Sequence, residues 1–109
     1  MKVIYLSGPM TVGPQFENVR EALRQATLLR EAGYAVICPH LTFFWDLVFP
    51  TSHARWLGMD FAIIERVDLV LRIPGESRGG DLETAHARYK GIAVYEGRVD
   101  EWLAEQATA

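Results

Sequence analysis

Short unbroken apolar runs alternate along this chain with longer stretches in which apolar positions recur at three- and four-residue spacing. Lys2 to Ser7 (KVIYLS) is a β-rich run stopped by Gly8 and Pro9, the way a buried strand ends at a loop. From Gln15 to Ala32 the residues Phe16, Val19, Leu23, Ala26 and Leu29 fall at helical spacing, with Arg20, Glu21, Arg24 and Arg30 off that stripe and Gly33 as the stop. Tyr34 to Cys38 (YAVIC), closed by Pro39, and Asp68 to Ile73 (DLVLRI), closed by Pro74 and Gly75, predict two further strands. Ile92 to Tyr95 (IAVY) predicts a fourth. Helices are expected from about Ala54 to Arg66 and from about Gly80 to Lys90, and a last amphipathic piece from Val99 to about Gln106.

Strand and helix alternating at this spacing imply parallel strands joined by right-handed crossovers. The expected class is α/β: a doubly wound, flavodoxin-like or Rossmann-like parallel sheet of four to five strands with helices on both faces. Composition narrows the picture. A chain of 109 residues with 50% hydrophobic and 23% charged side chains is expected to form one globular domain over residues 1–109 rather than a disordered segment. The lone Cys38 cannot form an internal disulfide and points to a reducing compartment. The apolar run Val3 to Leu6 is far short of a signal-peptide core or a spanning helix, so a cytoplasmic protein without membrane contact is expected. A net charge of -3, with neither sign in a long block, argues against a nucleic acid polymer as partner and leaves a small ligand open.

In doubly wound sheets ligands bind outside the carboxyl ends of the strands, where strand order reverses. The loop after the first strand, Ser7-Gly8-Pro9-Met10-Thr11-Val12-Gly13-Pro14, is rich in residues that admit close backbone approach or hold a fixed turn. It matches no standard phosphate-loop pattern, and a plain turn is the bland alternative. The loop after the third strand runs through Ser77, Arg78, Gly79 and Gly80 into a helix. Helix-start amides beside an Arg can surround a phosphate or a sugar hydroxyl; an N-cap Ser in a plain loop is the alternative.

Two carboxylates carry the candidate chemistry. Glu83 falls in the first turn of the helix predicted from Gly80, at the border of a stripe marked by Leu82, Ala85, His86 and Tyr89. A carboxylate at that position, held ionised, suits a nucleophile. Asp60 is the sharper anomaly, because it interrupts the apolar stripe of Trp56, Met59, Ile63 and Val67, beside Trp56 and Ile64. Burial would raise its pKa and make it a proton donor near an ionised Glu, the arrangement of nucleophile plus acid used in glycoside chemistry. Partial exposure near the helix start is the competing reading.

The connection from Pro39 to Arg55 is long and carries Phe43, Phe44, Trp45 and Phe49. These aromatics fit three uses: stacking on a nucleobase, forming a lid, or burial in a partner subunit, the last of which predicts a homodimer or higher oligomer. Cys38, His40, His53 and His86 lack the paired spacing of a metal site, and neither metal nor cofactor is expected. Asp68 is read as a strand cap or supporting carboxylate, and the Tyr5 hydroxyl as within reach of a carboxylate.

Taken together, Ile4-Tyr5-Leu6-Ser7-Gly8-Pro9-Met10, Gly33-Tyr34-Ala35-Val36 with Pro39, Asp60, Val67-Asp68-Leu69-Val70, and Ser77-Arg78-Gly79-Gly80-Asp81-Leu82-Glu83 with Ala85 and Ala87 resemble the nucleoside 2-deoxyribosyltransferase superfamily. The resemblance is to its small DUF4406 branch and runs from about Lys2 to Tyr95. It implies an N-glycosidase or a base-exchanging transferase acting on a nucleoside or its 5'-monophosphate. By the same resemblance Glu83 would attack the anomeric carbon, Tyr5 would orient it, and Asp60 would assist the departing base. Ser7, Gly8, Pro9 and Met10, with Ser77, Arg78, Gly79 and Gly80, would hold sugar and phosphate, and a neighbouring subunit would often complete the pocket. The chain is shorter than typical transferases and lacks their extended C-terminal segment, which leaves hydrolysis and exchange both open; Arg78 favours a 5'-phosphate. A non-catalytic nucleotide-binding module in the same cleft is the rival expectation.

Overall fold

A computed structural model describes residues 1–10 and 12–109. Four parallel strands, β1 (Val3–Ser7), β2 (Ala35–Ile37), β3 (Leu69–Arg72) and β4 (Ala93–Glu96), form one sheet in the order β2-β1-β3-β4. Helix α1 (Gln15–Glu31) joins β1 to β2. A 3-10 turn (Pro39–Leu41), α2 (Thr42–Val48) and α3 (His53–Ile64) connect β2 to β3; α4 (Arg78–Tyr89) lies between β3 and β4, and α5 (Val99–Thr108) follows β4. The expected doubly wound α/β sheet is therefore present, with four strands. Its order reverses between β1 and β3, so the carboxyl ends of these two strands, at Ser7 and Arg72, flank the switch point.

The period-two alternation of β1 and β3 divides the core into two layers. Ile4, Leu6, Leu71 and Ile73 pack with Ala22 and Leu29 of α1 and Val99 and Trp102 of α5. Tyr5 and Val70 face the other way, with Ile64 of α3, Val67 and Ala87 of α4. Tyr5, Ser7, Val70 and Arg72 thus share the α3/α4 side. Asp68 accepts the Val3 amide at 2.8 Å, the strand-cap role.

Several expectations on helices need correction. On α1 the buried residues are Ala22 and Leu29, whereas Phe16 is 70% exposed and Leu23 lies at the surface. The small Ala22 lets the helix sit close to the sheet and turns the larger side chains outward. On α4 the stripe is Gly80, Glu83, Thr84 and Ala87, while Leu82, Ala85 and Tyr89 face solvent. Residue size rather than apolarity selected the sheet-facing positions. The connection after β2 is largely helical rather than an open loop, since α2 occupies most of the aromatic segment. Among the described residues no helix is long and apolar enough to cross a membrane.

Candidate active site

Glu83 sits on the buried stripe of α4 itself and, because that helix begins at Arg78 with Ser77 as N-cap, in its second turn rather than its first. Both carboxylate oxygens accept hydrogen bonds from β1. The Tyr5 hydroxyl donates to Oε2 at 2.6 Å and the Ser7 hydroxyl to Oε1 at 2.7 Å. The strand pleat accounts for this pairing, since residues two apart on β1 project to the same face and can grip two atoms of one side chain. With both hydroxyls donating, Glu83 serves as acceptor through both oxygens, as a carboxylate does.

Asp60 reaches the same space from α3 and is 9% exposed. Burial, reinforced by the negative charge of Glu83, pushes its carboxyl up to about 8. Burial also pushes the Tyr5 hydroxyl upward, with Glu83 and Asp60 adding to the shift, so Tyr5 stays a neutral donor. The helices bearing the two carboxyls are tied together beyond the site. His86 of α4 stacks on Phe61 of α3 at 4.2 Å between ring centres, and its Nε2 lies 2.9 Å from a Glu65 carboxylate oxygen.

Gly8, Met10, Ser77, Gly79, Gly80, Asp60 and Glu83 line one cleft, with Pro39, His40, Thr42, His53, Trp56 and Leu57 completing its walls. Tyr5 and Ser7 lie beneath it, fully buried. Pro9 and Arg78 are not lining residues; Arg78 is exposed at the start of α4. Thr11, part of the first loop as read from sequence, lies outside the described residues. Ser77 takes the N-cap role, its Oγ accepting the Gly80 amide at 2.9 Å, and it also donates to the Gly8 carbonyl at 3.3 Å, joining the two loops.

Two residues outside the expected site hold these loops in place. Arg72, the last residue of β3 and 6% exposed, donates from Nη1 to the Ile73 carbonyl and from Nη2 to the Gly75 carbonyl and Asp81. A Cβ on Gly80 would lie 2.6 Å from Arg72 Nε, so only glycine lets α4 start directly over the guanidinium. The signal was present as a charged residue inside an apolar strand. His40, 2% exposed, has Nε2 at 2.8 Å from the Pro9 carbonyl and Nδ1 at 3.6 Å from the Cys38 thiol. A carbonyl only accepts, so Nε2 carries the proton. Burial lowers the imidazole pKa and raises that of Cys38 to about 11, leaving a neutral His and an un-ionised thiol that anchor the first loop to the end of β2.

The four aromatics of the β2 connection do not line the cleft; Phe44 is 72% and Phe49 71% exposed. A larger hollow of about 400 Å³ on the opposite side of the sheet is lined by Glu21, Gln25, Arg98 and Asp100 among others. Its charges are paired with neighbours, Arg98 with Asp100 and Glu21 with Arg24. It offers no confronted acid pair, whereas Asp60 and Glu83 both line the smaller cleft.

No curated protein matches the chain. Among solved structures, the CMP N-glycosidase BcmB of Clostridium botulinum shares the fold, with a TM-score of 0.59 and 20% identity over 87% of this chain and 70% of that one. The family model for the domain of unknown function DUF4406 matches residues 2–96, spanning the sheet, both loops and both carboxylate-bearing helices. This chain belongs to the DUF4406 family.

Proposed function

We propose that the protein cleaves the N-glycosidic bond of a nucleoside or its 5'-monophosphate through a covalent glycosyl-Glu83 intermediate. The observation that carries this reading is the confrontation of unlike carboxyls: Glu83, gripped as an acceptor by Tyr5 and Ser7, and Asp60, held protonated up to about pH 8 by burial and by Glu83. Glu83 attacks the anomeric carbon as the bond to the base nitrogen breaks, and Asp60 delivers its proton to the departing base. Water, deprotonated by the now ionised Asp60, then displaces the sugar from Glu83; a second base in place of water gives exchange. The fold shared with a CMP N-glycosidase and the placement of the acids at the switch point support the same reading.

The two glycine-bearing loops face the sugar and its substituents. The start of α4, where the helix dipole is positive and Gly80 sits against the Arg72 guanidinium, suits a 5'-phosphate better than the outward-facing Arg78 does. The enclosed space is only about 70 Å³, against roughly 300–1,000 Å³ for typical small-ligand sites, so a nucleotide would rest partly outside it. Self-association belongs to the same reading, because Phe44, Leu47 and Phe49 of α2 and its flank are large apolar side chains left exposed.

The test is incubation with nucleosides and their 5'-monophosphates, with and without a free acceptor base, followed by chromatography. Base release is expected, with Glu83→Gln lowering turnover by about 10³-fold or more, the scale on which loss of a nucleophile acts. Full turnover by Glu83→Gln would overturn the mechanism. Tight nucleotide binding with no release in any arm would favour a binding module.

A further inference from the structure

Trp56 stands four residues before Asp60 on α3, one helical turn away and on the same face, and it is among the residues that line the cleft. It is held from outside by two contacts. The indole N–H donates to Asp46 Oδ1 at 2.7 Å, and the Trp45 ring meets it edge to face at 4.9 Å between centres. The same Asp46 oxygen accepts the Thr51 amide at 3.1 Å, so one carboxylate ties α2, the following turn and the Trp56 ring together. These two donors keep the Asp46 carboxyl below its usual range and therefore charged, which strengthens the bond to the indole. α2 has no buried residue of its own, and this fastening attaches it to α3.

An indole whose polar edge is fixed, on a residue that borders both the cleft and the hollow beside it lined by Trp45, Phe49 and Met59, is suited to a flat aromatic ligand. The other lining residues near Asp60 are Leu57, Thr42 and the His40 and His53 rings, and none is a comparably large aromatic. We infer that Trp56 is the residue on which the base of the ligand stacks, with Asp46 as the positioning residue that fixes the ring. The inference rests on the proposed nucleotide reading. It reassigns the stacking role from the Phe43 to Phe49 segment to α3 and gives that segment the task of holding the stacking ring. A base packed there would lie within one turn of the acid that protonates it.

Binding of a nucleoside 5'-monophosphate and of ribose 5-phosphate, which has no base, is measured by calorimetry on wild type, Trp56→Leu, Trp56→Phe, Asp46→Ala and Asp46→Asn. Loss of one base–aromatic stack weakens binding by about 10- to 100-fold. Trp56→Leu is expected to lose that much for the nucleotide and nothing for ribose 5-phosphate, while Trp56→Phe, which keeps a ring, stays within a few-fold of wild type. Asp46→Ala is expected to weaken the nucleotide alone, and Asp46→Asn, which keeps an acceptor oxygen, to restore it. If Trp56→Leu fails to fold, the contrast between Asp46→Ala and Asp46→Asn decides. Equal nucleotide affinity in wild type and Trp56→Leu, parallel loss of both ligands, or no nucleotide binding by wild type would each overturn the inference. Nucleotide binding that depends on Trp56 but releases no base would sustain it while removing the proposed reaction.

Discussion

Asp60 works against the fold at the pH where it would work for the reaction. Its carboxyl is raised to about 8 in the folded protein, mainly by burial, against an ordinary value near 4 when unfolded. Between those two values the folded state holds a proton that the unfolded state releases, so this contribution to stability is complete below about pH 4 and is lost progressively as pH rises through about 8. Asp60→Asn removes the titration. It is expected to raise stability at pH 8 by about 1–3 kcal/mol and to flatten the decline between pH 5 and 8, measured by urea unfolding across that range. In the same variant turnover falls by about 10²- to 10⁴-fold, the usual worth of a general acid. The wild-type rate should drop above about pH 8 as Asp60 ionises, and that limb should vanish from the residual activity of Asp60→Asn. A wild-type profile flat to pH 10 would show that Asp60 donates no proton. The anomaly of a carboxylate within an apolar stripe was legible from the sequence, because burial of a charge violates a simple rule. The Tyr5–Glu83 bond was legible only as a reach. Ser7 read both as the end of the first strand and as the start of the loop after it, and that its hydroxyl lies beneath the cleft on Glu83 depends on which strand face meets α4.

At the scale of elements, strands were the easier part, since short unbroken apolar runs and the stops at Gly8, Pro39, Pro74 and Gly75 delimit them to within a residue or two. Helix faces were harder. On α4 the sheet side is chosen by what fits over Arg72 and against β1, so Gly80, Thr84 and Ala87 go inward and Leu82 and Tyr89 go out, which an apolar stripe cannot foretell. The close seat of α4 on Arg72 makes Gly80 a sharp probe of this packing. In Gly80→Ala the methyl would meet Nε and Cζ at 2.6 and 2.9 Å, forcing α4 away from β3 and pulling Glu83 off Tyr5 and Ser7. Destabilisation of about 1–3 kcal/mol is expected, as for overpacking elsewhere, together with weaker binding of inorganic phosphate, both checked by thermal unfolding with and without the anion. An unchanged melting temperature would mean that Arg72 is free to swing aside.

At the scale of the whole molecule, the site is assembled from β1, α3 and α4, which meet only because the sheet order brings β1 beside β3. The doubly wound class and the switch-point location followed from the alternation of elements, whereas the α2 helix did not, because its run of aromatics has no polar face to set a period. That same run places Phe44, Leu47 and Phe49 at the surface, and the proposed self-association covers them. Phe44→Glu with Phe49→Glu is expected to convert a dimer or larger assembly into monomer in light scattering while leaving the circular dichroism of the fold intact; a wild-type protein monomeric at high micromolar concentration would remove that part of the proposal.

The sealed Cys38 thiol, set against His40 and un-ionised up to about pH 11, gives the molecule an internal clock. A thiol in that position is expected to react with an alkylating reagent faster when the His40 contact that ties it to the Pro9 carbonyl opens, so its labelling rate reports openings that no equilibrium unfolding curve would register. Because His40 also borders the cleft, an occupant pressing on the Pro9 loop should lengthen the interval between openings. Labelling of the native protein, followed by mass spectrometry, is expected to slow at least several-fold with saturating nucleoside 5'-monophosphate, and an unaltered rate would mean that the loop and the ligand are energetically independent.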